Sequence, residues 1–184
     1  AYDGMGIIYR QDGDYEKSEE FLKKAIRMST AIDDKYGIAS SHCNLSTTSF
    51  EGGNIKKAKD MLSVGLGLFN EMNNKRALHL GDFLMSKLLF FEEEYKEGIK
   101  KINIAISFFQ EIDDTVYLIR SLTLLAKMER LNQSKDSALK NLNKAIDLSS
   151  KINHKEFKNK ANIEINICNI NQDNSLDSLL QDID

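Results

Sequence analysis

Proline and tryptophan are both missing from this chain of 184 residues, and only two cysteines are present. All-β and loop-rich folds use proline in turns and at sheet edges, so its absence indicates helices joined by short links. Cys43 and Cys168 are too far apart and too few to form the disulfide framework of a small secreted domain. We therefore expect a reducing compartment and a cytoplasmic protein.

The chain also has little net charge and no long hydrophobic run. Its 25 Lys and Arg against 28 Asp and Glu give a net charge of −3, which disfavours nucleic acid as a partner. No apolar run approaches the roughly 18–20 residues of a membrane span, so no membrane partner is expected. The sequence lacks a signal peptide and an initial Met and begins inside a predicted helix, which indicates a piece of a longer protein.

What the chain does contain is an internal repeat with a period of 40 residues, present in four copies without insertions. An apolar column closes each copy and is followed by polar residues. Three further columns hold small residues. The apolar column is Ile32, Met72, Ile112 and Ile152; the small columns are Gly6, Ser46, Ser86 and Ala126, then Ser18, Ala58, Gly98 and Ala138, then Ala25, Gly65, Ala105 and Ala145. Small residues let two helices cross closely, so these columns predict crossing points.

Apolar residues at helical spacing predict two helices in each copy. First helices are predicted over 1–11, 36–51, 76–92 and 116–131, second helices over 14–32, 54–72, 95–112 and 135–152, and a ninth helix over 155–170. Gly13 and Gly53 mark two links, where glycine permits a positive φ. Glu93-Glu94 and Gln133-Ser134 are weaker turn signals. Residues 163–167 alternate with the period of a strand, but the repeat register and a polar stripe of Asn favour a helix.

The first copy resembles the tetratricopeptide repeat family. The resemblance is carried by Met5-Gly6, Tyr9, Gly13-Asp14-Tyr15, Ser18, Leu22 and Ala25. The Trp and Pro of the family pattern are absent, and the period is 40 rather than 34. The long form is similar to the repeats of peptide-sensing bacterial regulators, Pins-type adaptors and sensor kinases.

The resemblance implies an all-α fold, a right-handed superhelical α-solenoid of stacked antiparallel helix pairs. We expect one solenoid domain over 1–170, with repeats at about 1–35, 36–75, 76–115 and 116–155 and a terminal helix at 155–170. Residues 171–184 are expected to form a linker and a short helix. Leu176, Leu179 and Leu180 of that helix are predicted to dock in the groove of this molecule or a neighbour.

In this family the first helices line a concave face that binds peptides or partner helices. The residues predicted to bind a ligand are Phe50, Phe83, Lys87, Phe90, Arg120, Lys127 and Arg130. Aromatic anchors beside cations suit a peptide or protein segment that has an apolar anchor and acidic groups. Chaperone-binding members of this family grip a terminal carboxylate with Lys and Asn at inward positions. Here the column that would hold the first of these Lys residues contains Asp3, Cys43, Phe83 and Thr123, so chaperone-tail binding is not expected. The residues also permit the structural alternative that these side chains are only core or solvated surface.

Enzymatic signals are weak. The three histidines form no metal-binding motif, and His42 and Cys43 point in different directions from one helix. Gly65-Leu66-Gly67 lies inside a predicted helix, so it indicates a soft spot rather than a phosphate loop. We expect no cofactor, no metal and no enzyme activity. Two alternatives to peptide binding stay open: a self-association or spacer module, and the sensory domain of a transcription regulator or kinase.

Overall fold

A computed structural model describes residues 2–173, with side-chain surroundings for residues 2–170. The predicted tail, including Leu176, Leu179 and Leu180, lies outside the described residues. All the regular structure in the described part is helical. The helices are α1 (Tyr2–Gln11), α2 (Tyr15–Ala31), α3 (Lys35–Glu51), α4 (Ile55–Glu71), α5 (Lys75–Phe91), α6 (Tyr95–Glu111), α7 (Thr115–Leu131), α8 (Lys135–Lys151) and α9 (Lys155–Asp173). The predicted all-α helix pairs are confirmed, and residues 163–167 are helical.

Every link between two helices has the same backbone. A residue with left-handed φ, between 51° and 84°, recurs every 20 residues. The series is Gly13, Asp33, Gly53, Asn73, Glu93, Asp113, Gln133 and Asn153. Glycine, Asn and Asp tolerate this conformation best, which explains six of the eight positions. The other two positions, Glu93 and Gln133, hold residues that do not favour this conformation, so the sequence indicated these turns only weakly.

The residue after each left-handed position begins the next helix as its N-cap. Asp14, Asp34, Asn54, Asn74 and Asp114 each accept a hydrogen bond from a backbone N–H three residues on, at 2.9–3.2 Å. These bonds satisfy donors that the first turn of a helix leaves open. Glu94 and Ser134 make no such side-chain bond. In the polar pairs Asp33-Asp34, Asn73-Asn74 and Asp113-Asp114, the first residue therefore holds the left-handed φ and the second is the cap.

The described helices belong to two compact units. Unit 1 contains α1 to α5, and each of its helices packs on the next along the chain. Its buried core includes Leu22, Leu45, Leu62 and Phe69. In this unit α3 also contacts both α1 and α5, so the first helices lie side by side.

Unit 2 contains α6 to α9 and repeats the arrangement. Its core includes Ile102, Phe109, Leu122 and Leu142, each at most 2% exposed. Here α7 contacts α9, again two first helices of neighbouring copies. The single solenoid over 1–170 remains a prediction.

The small-residue columns are buried in all four copies, which confirms their packing role. Gly65 shows why a larger residue does not fit. A Cβ at this position would lie 2.7 Å from Cys43 Sγ and 2.9 Å from the Ala39 carbonyl oxygen. At Gly67, by contrast, a Cβ would meet nothing within 4 Å. Both lie inside the continuous helix α4, so the predicted soft spot is wrong for Gly65, which is a close-contact position.

The apolar column that closes each copy is not part of the core. Ile32 is 74% exposed, and Ile112 and Ile152 are each 39% exposed. These residues are C-caps, beyond the last helical turn, where the chain leaves the interface between helices. Ile32 therefore does not extend the buried face of α2. No helix in the described part of the chain combines the length and the hydropathy needed to cross a membrane.

Candidate functional site

A cleft opens between the neighbouring first helices α3 and α5 of unit 1. Its volume is about 220 Å³, including the open mouth. The residues that line it are Ser46, Thr47, Phe50, Leu84, Lys87 and Leu88. Most of this space is open to solvent, so the cleft is a shallow depression in the surface rather than an enclosed pocket for a small ligand.

Phe50 and Lys87 define the character of this cleft. The Lys87 ammonium lies 4.9 Å from the centre of the Phe50 ring, within the range of a cation–π contact. The ring also packs against the buried cluster of Ala58, Leu62 and Leu88. Phe50 is thus an aromatic surface supported from below by the core and bordered by a positive charge.

The remaining predicted residues of unit 1 have different surroundings. Phe83 is 4% exposed and lies in the core, so its ring supports α5 rather than facing a ligand. Phe90 is half-buried and packs edge-on against Phe91 at 5.4 Å. Phe91, which sequence reasoning missed, is 58% exposed and packs edge-on against Phe50 at 4.9 Å. Its only sequence signal was an aromatic residue in the last turn of α5.

Two of the three predicted cations of unit 2 are engaged by a residue of α9. Lys127 Nζ lies 2.8 Å from a carboxylate oxygen of Glu164, and Arg130 Nη2 lies 3.9 Å from the other oxygen. Glu164 is 9% exposed, although carboxylates are rarely buried unless paired. Arg120, by contrast, is exposed and lies 4.9 Å from the Tyr117 ring.

The α3–α5 cleft and this ionic cluster occupy equivalent places in the repeat. Adding 80 to the numbers of the cleft residues Thr47, Phe50 and Leu84 gives Lys127, Arg130 and Glu164. The same pair of helix faces is therefore apolar in unit 1 and charged in unit 2. Glu164 was missed because the Asn residues of α9 suggested a polar outer helix.

The inner side of α1 and α3 carries polar contacts that the sequence did not reveal. Ser41 Oγ donates to the Asp3 carboxylate at 2.9 Å, and Arg10 lies 3.6 Å from Glu51. This part of unit 1 thus holds both charge signs, with each charge facing an internal partner.

The residues considered for catalysis show no activation. Burial raises the pKa of the Cys43 thiol to about 11, and burial also lowers the pKa of His42. A reactive cysteine needs the opposite shift, towards the thiolate. His79 lies 3.3 Å from Asp82 on its own helix. Among the described residues, no group of three or more His, Cys, Asp or Glu side chains is placed to hold a metal ion.

Comparison with known proteins supports the repeat assignment. Residues 1–71 match the family model described as tetratricopeptide repeat, which confirms the resemblance carried by the first copy. Comparison with curated proteins by sequence gave no match.

Several solved structures share the fold at low identity. A protein from Podosopora anserina, described as a kinesin light chain with nearly identical TPR-like repeats, aligns with a TM-score of 0.74 at 12% identity, over 98% of this chain and 90% of that one. The apo form of RapI aligns with a TM-score of 0.79 at 15% identity, over 87% of this chain and 58% of that one. A Rap protein complexed with competence and sporulation factor aligns with a TM-score of 0.57 at 16% identity, over 89% of this chain and 50% of that one. These likenesses show a TPR-like fold.

Proposed function

We propose that this chain is a non-enzymatic scaffold that binds a peptide or protein segment on the inner faces of its first helices. The observation that carries the proposal is the α3–α5 cleft, where Phe50 lies beneath Lys87. A supported aromatic ring at the edge of a shallow cleft is the kind of anchor from which interfaces draw most of their energy. The similarity to a Rap protein complexed with a named factor adds support for a protein-type ligand.

The cleft favours a segment that inserts an apolar side chain and places a carboxylate near Lys87. The apolar group would contact Phe50 and Leu84, and the carboxylate would form a charge-assisted bond with the Lys87 ammonium. The proposed site keeps Phe50, Lys87 and Phe90 as contact residues and Phe83 as their support. Arg120, Lys127 and Arg130 are proposed to contact acidic groups of the ligand.

The test is selection of binding peptides from a random displayed library, followed by affinity measurements on purified variants. Phe50→Ala should weaken the selected peptides at least about tenfold, because a buried anchor contributes more than about 1.4 kcal/mol. Lys87→Met should weaken them less, about three- to tenfold. Thermal unfolding of each variant separates loss of the site from loss of the fold.

Tyr36→Ala is a matched control, since it also removes an aromatic ring from α3. Tyr36 is 58% exposed and lies 14 residues before Phe50, roughly 21 Å along the helix. The Tyr36→Ala variant should bind the selected peptides with the same affinity as the parent chain. Peptides that bind Phe50→Ala as tightly as the parent, or a library that yields only such peptides, would refute the proposal.

A second candidate is self-association, which one observation favours. Tyr2, Met5 and Ile8 of α1 are 41%, 38% and 51% exposed, whereas most of their equivalents in later copies are buried or half-buried. A second copy of the chain could cover this apolar face. Light scattering across a concentration series tests it, and an unchanged monomer mass excludes it. Charging the face with Met5→Glu should dissolve any dimer that forms.

A further inference from the structure

The charged cluster between α7 and α9 holds more positive than negative groups. Lys127 and Arg130 share the single carboxylate of Glu164. Arg130 Nε is buried and has no hydrogen-bond acceptor among the described residues. The 3.9 Å separation between Arg130 Nη2 and Glu164 also exceeds a hydrogen bond. Glu164 therefore pairs with Lys127 and leaves Arg130 Nε without an acceptor.

Lys135 adds a third cation beside the same helix. Its Nζ is buried and likewise has no hydrogen-bond acceptor in the described part of the chain. In the other three copies this position holds Tyr15, Ile55 and Tyr95, which are half-buried packing residues. A lysine in a packing column is costly unless an anion meets it, because an unpaired buried charge is strongly disfavoured.

The buried thiol of Cys168, one turn after Glu164 on α9, connects these groups. Burial raises the pKa of Cys168, while the charges of Arg130 and Lys135 act to lower it and that of Glu164 to raise it. All three charges are thus felt at one point of α9. The cluster consists of Lys127, Arg130 and Lys135 around Glu164, a formal excess of two positive charges.

We propose that the α7–α9 cluster of unit 2 is a carboxylate-binding site that Glu164 fills only in part, and that an acidic side chain of a bound protein segment completes it. This inference rests on the proposed function, because it gives a defined place to the acidic groups that Lys127 and Arg130 are proposed to contact. The ligand carboxylate approaches past Lys127, whose side chain is 36% exposed, and accepts from Arg130 and Lys135 once these side chains turn their buried Nε and Nζ atoms towards it.

Glu164 sets the specificity of this site. Its column otherwise contains Gly4, Asn44, Leu84 and Leu124, so the negative charge is peculiar to this copy. By occupying Lys127, it excludes weakly charged ligands that could not compete for the remaining cations. It also lies beside the incoming carboxylate, so its charge opposes binding.

The experiment measures binding of a short capped peptide rich in Asp and Glu, its Asn/Gln counterpart, and inorganic phosphate to the full chain. We expect the acidic peptide to bind and the neutral one to bind at least about tenfold more weakly. Arg130→Met and Lys135→Tyr should each weaken the acidic peptide about tenfold. Glu164→Gln should strengthen it about three- to tenfold by removing the opposing charge.

Lys135→Tyr is the variant that protects the test from misfolding, since the column already contains Tyr15 and Tyr95. Lys140→Met is the matched control, because it removes the same charge from an exposed position of α8. Equal affinity for the acidic and neutral peptides would overturn the inference. Phosphate binding as strong as the peptide, with the same dependence on Arg130 and Lys135, would also overturn it, by showing a small-anion site.

Failure of this inference and failure of the proposed function give different results. If peptides still depend on Phe50 while Arg130→Met and Lys135→Tyr change nothing, the scaffold function stands and the carboxylate site falls. If acidic peptides depend on Arg130 and Lys135 while Phe50→Ala changes nothing, the α3–α5 cleft falls and the carboxylate site stands.

Discussion

The hydroxyl groups of Ser18 on α2 and Thr48 on α3 form a hydrogen bond of 2.9 Å in a fully buried interface of unit 1. Both positions belong to columns that hold apolar or small residues in the other copies, such as Ala58 and Leu88. The pair is therefore a polar substitution inside a packing surface. Its stability depends on both partners being present.

A double-mutant cycle tests this dependence. Ser18→Ala and Thr48→Val should each lower the free energy of unfolding by roughly 1–3 kcal/mol, because each leaves a buried hydroxyl without its partner. The double variant should lose less than the sum of the two, since no orphan group remains. Urea unfolding measures all four proteins.

Ser149→Ala provides the control for this cycle. Ser149 is equally buried, but its hydroxyl donates to the Ala145 carbonyl of its own helix at 2.6 Å. Removing it orphans no side chain, so its cost should stay below that of Ser18→Ala. Additive effects of Ser18→Ala and Thr48→Val would show that the bond contributes nothing.

The two glycines of α4 should respond oppositely to alanine. Gly65→Ala forces a Cβ against the Ala39 backbone and Cys43, and should destabilise the chain by about 1–3 kcal/mol. Gly67→Ala meets open space and should stabilise it by up to about 1 kcal/mol through helix propensity. Thermal unfolding of the two variants measures the difference, and a stabilising Gly65→Ala would contradict the close helix approach.

The link between α7 and α8 offers a test of the repeated backbone. Gln133 has φ of 62°, so Gln133→Gly should raise the free energy of unfolding by about 1 kcal/mol, by relieving the left-handed strain of a side chain. Gly53 has φ of 84°, so Gly53→Ala should lower it by a similar amount. If Gln133→Gly lowers the free energy of unfolding, or if Gly53→Ala raises it, the links are not equivalent.

Folding should slow the alkylation of the Cys43 thiol. With its pKa at about 11, Cys43 in the folded chain should react with iodoacetamide at pH 8 about a hundredfold more slowly than in the unfolded chain. Mass spectrometry of the alkylated peptides separates it from Cys168, whose pKa burial also raises. Equal rates in the folded and unfolded chains would contradict the buried thiol.

The same shift predicts an alkaline loss of stability. Folding favours the neutral Cys43 thiol, so its contribution is complete below about pH 8.5, the unfolded value, and is lost progressively towards about pH 11, the folded one. Urea unfolding at pH 8 and above should show a smaller decrease for Cys43→Ala than for the parent chain. If the free energy of unfolding falls equally with pH in Cys43→Ala and in the parent chain, Cys43 is not the cause of the alkaline sensitivity.

The repeat made most of the fold predictable. A 40-residue period fixes the helix bounds to within a few residues, because every link has the same length and the same left-handed residue. One weak point was visible, since Glu94 is a poor capping residue and makes no side-chain cap. Ser134 is a favoured capping residue, yet it makes no side-chain cap either. Local chemistry alone determined these features.

Side-chain pairing across copies was harder to predict. Lys127 and Glu164 are 37 positions apart and meet only because α7 and α9 lie side by side. Phe83 was assigned to the ligand surface because aromatic residues at helical spacing look alike whether they face a core or a groove. Glu164 could have been found from its column, where it is the one charged residue among small, amide and apolar ones.

The uniform spacing of the left-handed links has a practical consequence for engineering. Because each helix from α3 onwards starts 20 residues after the one before it, whole copies of 40 residues can be transplanted without adjusting the joints. Recognition chemistry then becomes interchangeable: moving the Arg130 and Glu164 chemistry to positions 50 and 84 would convert an apolar cleft into an ionic one on the same framework.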